Sequence, residues 1–107
     1  MLGAVVGDIV GSRFEHVNAR TRDFELFTDA CHFTDDTVHT LAVCRALVRC
    51  GFTRENLARE TVRQLSELSE AYSRLSYGAR FNLWRLQEEK LPYASCGNGA
   101  AMRVSGC

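Results

Sequence analysis

Net charge is the first thing this chain lacks: its 13 lysines and arginines are matched by 13 aspartates and glutamates. Without a basic excess there is no electrostatic pull toward nucleic acid or an anionic membrane, and neither partner is expected. Long hydrophobic runs are missing too. Stretches such as Leu41-Ala42-Val43-Cys44 fall far short of the roughly 20 residues that span a bilayer, and Met1-Leu2-Gly3 lacks the basic start of a signal peptide. The expected location is the cytoplasm. Proline occurs once, at Pro92, and no Pro/Ser-rich linker, internal repeat or low-complexity tract divides the 107 residues, which suits one domain or part of one. Five cysteines (Cys31, Cys44, Cys50, Cys96, Cys107) are an odd number and never stand as Cys-x-x-Cys. That argues against a disulfide framework and a structural zinc site, so reduced thiols are expected.

What is present reads as a mainly helical domain with a modest core, since 46% of the residues are hydrophobic and 24% charged. Leu2 to Val10, small and apolar apart from Asp8, suits a short buried helix or strand. Ser12 to Phe33 has no clean period and reads as a long surface loop, a kind of segment that often carries function. From Asp35 to Arg49 the apolar positions Val38, Leu41, Ala42, Cys44, Leu47 and Val48 follow helical spacing, and Gly51 supplies a stop. Thr53 is the expected cap of a second long helix, whose stripe runs Ala58, Thr61, Leu65, Leu68, Tyr72 and Leu75. Gly78 breaks that pattern. A third helix is expected from Arg80 to Lys90, with Pro92 ending it.

The most chemical stretch is Phe33-Thr34-Asp35-Asp36-Thr37. Adjacent aspartates repel unless water screens them or a cation neutralises them, and carboxylate and hydroxyl oxygens suit hard divalent ions such as Mg²⁺ or Mn²⁺. The plain alternative is a helix N-cap, where Thr and Asp satisfy free amides and complement the helix dipole. A softer metal is a rival, because Asp35 and His39 share a helical face with Cys31 and His32 just upstream. His39 is otherwise an outer or structural residue. Ser95-Cys96-Gly97-Asn98-Gly99 is a turn whose glycines let backbone amides approach an anion, or simply an ordinary helix entry. Tyr77-Gly78-Ala79 is a second small-residue turn that can meet the same ligand or act as a C-cap. Glu15, in the loop, is either a gating or acid/base carboxylate or a solvated surface charge. Asp8 is expected to brace a turn or to lie outside the first ring of ligands.

Taken in order, Gly7-Asp8-Ile9-Val10-Gly11-Ser12-Arg13-Phe14-Glu15, Phe33-Thr34-Asp35-Asp36-Thr37 and Gly97-Asn98-Gly99-Ala100-Ala101-Met102-Arg103 resemble the ADP-ribosylglycohydrolase family. The resemblance spans nearly the whole chain. It implies an all-α hydrolase fold in which a binuclear Mg²⁺ or Mn²⁺ centre helps to release ADP-ribose from ADP-ribosylated proteins or small ADP-ribosyl compounds. It further implies that Thr34, Asp35 and Asp36 are metal ligands, and that Glu15 lies near the glycosidic bond and acts with Asp35 and Asp36 in catalysis. Tyr77, Gly78, Ser95, Cys96, Gly97 and Asn98 correspond to the segments that hold ADP-ribose. The family's second metal motif, an Asp-x-Asp followed by Thr or Ser, has no counterpart among Asp8, Asp23, Asp29, Asp35 and Asp36. Residues 1–107 are thus expected to be the N-terminal part of one truncated domain, inactive alone. Uncovered apolar helices would favour self-association. The alternative is a non-catalytic helical fragment that binds ADP-ribose or another partner.

Overall fold

A computed structural model of the chain describes residues 1–105 and 107. The architecture is all-helical: α1 (Leu2–Gly11), a 3-10 turn (Ser12–Phe14), α2 (Asp35–Arg49), α3 (Leu57–Ala71), α4 (Ala79–Leu86) and α5 (Gly99–Met102), with no strand among the described residues.

The helix α2 begins and ends where its sequence signals stand. Thr34 has extended backbone angles and caps the first turn, where Asp35 and Asp36 complement the dipole. At the other end Gly51 adopts φ +59°, the left-handed conformation that glycine tolerates best. Its amide donates to Val48 and that of Phe52 to Leu47, so two end carbonyls are satisfied. Ala42 and Ala46 on α2 are fully buried, and small side chains there let α3 pack closely, which makes α2 and α3 the principal helix pair. Leu65 of α3, Tyr77, and Phe81 and Trp84 of α4 complete the core with Ala42, flanked by Val62, Leu68 and Leu75.

Three boundaries differ from expectation. Segment Leu2–Gly11 is a helix, but none of its residues is buried, so it lies on the surface and not in the core. Thr53 does not cap α3. Its hydroxyl donates to the Cys50 carbonyl at 2.7 Å, and the chain passes through left-handed Phe52 and Asn56 before the helix starts at Leu57. The third long helix stops at Leu86, well before Pro92. The Lys90 ammonium turns back to donate to the carbonyls of Trp84 at 3.2 Å and Arg85 at 2.7 Å, and to that of Gln87. A cation over the last carbonyls satisfies them and opposes the negative end of the dipole, so no further turn is needed.

The long loop after the 3-10 turn is tied down at its base. Ser12 is buried, accepts from the His32 amide at 3.1 Å and donates to the Ile9 carbonyl at 2.9 Å. Arg13 donates to Thr28 Oγ1 at 3.1 Å and to the Glu25 carbonyl, and its guanidinium lies 4.6 Å from the centre of the Phe14 ring. These contacts fix where the loop leaves α1, and hence where Glu15 stands.

Candidate functional site

The first turn of α2 is held by a carboxylate from a different helix. Asp8 of α1 accepts from the Thr34 amide at 2.8 Å, the Thr34 hydroxyl at 2.6 Å, the Thr37 amide at 3.3 Å and the Thr37 hydroxyl at 2.6 Å. Thr34 Oγ1 in turn accepts from the Asp36 amide at 3.2 Å. The cap reading of Thr34 is therefore realised, and Asp8 braces the turn as expected. Because Asp8 and Thr34 satisfy the helix end, the Asp35 and Asp36 carboxylates are not consumed by capping.

Those two carboxylates and Glu15 line a cavity of about 420 Å³. Gly78, Ser95, Cys96, Gly97 and Asn98 line the same cavity, and its remaining charged lining is Arg80 and Arg103. Residues from both ends and the middle of the sequence thus meet at one site. Thr34 faces a smaller polar pocket next to it, which Glu15, Asp36 and Asn98 also line. Tyr77, like Thr34, lies outside the wall of the larger cavity. It is buried, and its hydroxyl donates to the Tyr72 carbonyl at 3.2 Å. Its role is to back the wall, stacking on the His39 ring at 5.3 Å.

Electrostatics divide the cavity. Burial pushes the Asp35 carboxyl up to about 6, helped next by the charge of Asp36 and then by Glu15 and Asp8. Position in the first turn of a helix favours the ionised form, yet burial and like charge win. Asp36 is raised for the same reasons, burial first and then Asp8 and Glu15. One turn further along α2, His39 shifts the other way. Burial first, and then the charges of Arg103 and Arg85, lower it to about 4. Burial is the larger cause at both, while the neighbouring charges are carboxylates at Asp35 and guanidinium groups at His39.

His39 also lines the cavity while being only 4% exposed. Tyr77 and Phe81 grip its ring, the latter edge-on at 4.4 Å, and neither ring nitrogen has a hydrogen-bond partner among the described residues. The sequence left His39 as an outer or structural residue, with a ligand role only in the soft-metal alternative, and gave Arg103 no role. Arg103 lies inside the Gly97–Arg103 segment, but its nearness to His39 comes from the contact of α5 with α2, which no local pattern encodes.

The donor set suits a hard divalent cation in kind: carboxylate and hydroxyl oxygens whose mutual repulsion a cation would relieve. Among the described residues, however, no three His, Cys, Asp or Glu side chains form a group able to hold a metal ion. The soft-metal alternative fares worse. Cys31 is engaged with Thr28 and the Leu26 carbonyl, and His32 Nδ1 lies 3.0 Å from the Ala30 carbonyl, so both are used within the loop. The glycine-rich turn is partly self-satisfied as well, since the Gly97 amide donates to Ser95 Oγ at 3.2 Å. The helix after it, α5, has four residues and so brings little dipole to an anion.

No curated protein and no solved structure matches the chain. The model of the ADP-ribosylglycohydrolase family matches residues 1–106, which include every segment that meets at the cavity. The all-helical fold agrees with that match, and the chain belongs to the ADP-ribosylglycohydrolase family.

Proposed function

We propose that these residues form the ADP-ribosyl site of a metal-dependent hydrolase that releases ADP-ribose from ADP-ribosylated protein side chains or related small compounds. The observation that carries this reading is the shared cavity of Glu15, Asp35 and Asp36 with Ser95 through Asn98. Thr34, Asp35 and Asp36 would hold the cation, Mg²⁺ or Mn²⁺, which when bound supplies charge to orient ribose hydroxyls and polarise the bond under attack.

The chain's own groups do the rest. Asp8 fixes the first turn of α2, so the two aspartates keep their spacing without being drawn into the cap. Glu15 is exposed on a loop pinned at Ser12 and Arg13, where it can exchange a proton with a water or leaving group and can move aside for substrate. Positive charge growing on the ribose in an oxocarbenium-like transition state would be stabilised by a carboxylate on this wall. Gly78 and the Ser95–Asn98 turn leave room for the ADP-ribose body, because a Cβ built on Gly78 meets nothing within 4 Å.

One observation favours a second reading, a chain that binds ADP-ribose without turning it over. Among the described residues no three His, Cys, Asp or Glu side chains form a group able to hold a metal ion. Both readings are tested by ADP-ribose release from an ADP-ribosylated peptide with Mg²⁺ or Mn²⁺, comparing the chain with Asp35→Asn and Asp36→Asn. If these residues turn ADP-ribose over, the release depends on metal and falls at least about 100-fold in either variant. Equal release in all three sinks the metal role, and ADP-ribose binding with no release in any of them selects the second reading.

A further inference from the structure

We propose that His39, one turn of α2 beyond Asp35, acts with Arg103 to hold a phosphate oxygen of the ligand in the cavity. The inference rests on the ADP-ribosyl reading above and assigns a contact that the glycine-rich turn does not supply.

The geometry begins with a buried ring that has polar atoms and no partners. His39 is 4% exposed, lies in the cavity wall, and has neither nitrogen hydrogen-bonded among the described residues. Buried polar atoms are nearly always satisfied, so an orphaned pair beside a cavity points to a group arriving from the cavity. Packing leaves the ring little freedom to look elsewhere, because Tyr77 stacks on it at 5.3 Å and Phe81 meets it at 4.4 Å.

Charge selects which group arrives. The charges felt at His39 are those of Arg103 and Arg85. Arg85 is already engaged, donating to Glu70 at 3.3 Å and to Asn82 at 3.1 Å. Arg103 lines the cavity, is partly buried, and takes no part in the ion pairs found among the described residues. A metal ion beside His39 would meet an uncompensated guanidinium. A hydroxyl would satisfy the imidazole and leave Arg103 unpaired. A phosphate oxygen answers both, accepting from the imidazole N–H and neutralising Arg103. A diphosphate joined through a ribose then lies with its phosphates toward His39 and its hydroxyls toward the carboxylates.

Inorganic pyrophosphate in the presence of EDTA tests this without calling on metal or turnover. Calorimetry on the 107-residue chain should show binding that weakens about tenfold or more in His39→Phe, which keeps a flat ring but has no N–H, and similarly in Arg103→Gln. His39→Gln, which keeps an N–H donor, should recover part of the loss. The ¹⁵N resonances of the His39 ring in the unaltered chain should move on adding pyrophosphate. His39→Phe with an unchanged melting curve and unchanged pyrophosphate affinity overturns the proposal. If that variant does not fold, ring resonances unmoved at saturating pyrophosphate overturn it instead, as does a chain that binds no pyrophosphate at all. Asp35→Asn separates the two readings: its metal-free pyrophosphate binding should persist whatever happens to ADP-ribose release.

Discussion

Asp35 and His39 stand one turn apart on α2 and make opposite demands on pH. The Asp35 carboxyl rises from 3.8 to about 6 on folding, so the native state holds its proton more tightly. Stability from this group is present at low pH and is lost as pH rises from about 4 to about 6. The imidazole of His39 falls from 6.5 to about 4, so here the unfolded chain binds the proton more tightly, and stability is lost as pH falls from about 6.5 to about 4. The two slopes oppose each other across the same window. In metal-free buffer Asp35→Asn should therefore raise stability at pH 7 by about 1 kcal/mol after allowance for solvent screening, and should steepen the fall toward acid. In His39→Phe the slope should change sign. Thermal melts between pH 4 and 8 check both, and parallel curves for all three proteins would refute the assignment. At this scale the sequence exposed the aspartates, because a doubled carboxylate opening a helix calls for a compensating partner. It did not expose His39 and Arg103, since a ring nitrogen or a guanidinium left without a partner among the described residues exists only once tertiary packing has closed around it.

Helix α2 owes its N-terminus to four hydrogen bonds received by a single side chain, Asp8. Asp8→Ala removes them together and leaves the Thr34 and Thr37 amides and hydroxyls to find other partners. The expected cost is about 2 kcal/mol, or roughly 10 °C in Tm for a domain of this size, against about 1 kcal/mol for Thr34→Ala. Because the same turn carries Asp35 and Asp36, Asp8→Ala should weaken Mg²⁺- or Mn²⁺-induced stabilisation beyond its effect on Tm. A metal-free melt indistinguishable from that of the unaltered chain would remove Asp8 from this role. Both ends of α2 were readable because their signals are local, Thr34 at one and Gly51 at the other. The start of α3 and the end of α4 were not. The first is set by the left-handed turn through Phe52 and Asn56, and the second by a lysine that reaches back from beyond the helix.

Across the whole molecule, α2 separates two unlike surfaces. Asp35 and His39 face the charged cavity, while Leu41, Cys44 and Val48, about half a turn round the helix, line an apolar groove of about 510 Å³ with Met1, Phe33 and Tyr72. Leu41 and Val48 are 41% and 64% exposed, an arrangement that favours association through this face. Sedimentation at micromolar concentrations should give a species heavier than one chain, and Leu41→Glu or Val48→Glu should return it to a monomer. A monomer at every concentration would count against that expectation. The cavity face has a different consequence. Asp35 and His39 lie on one rigid helix, so their separation is set by the four-residue rise of α2, about 6 Å, whereas Glu15 and Ser95 through Asn98 come from loops. The helix thus works as a ruler, fixing the distance between two marks on any ligand it accepts, and changes in the loops can alter what lies beyond those marks without altering the measure itself.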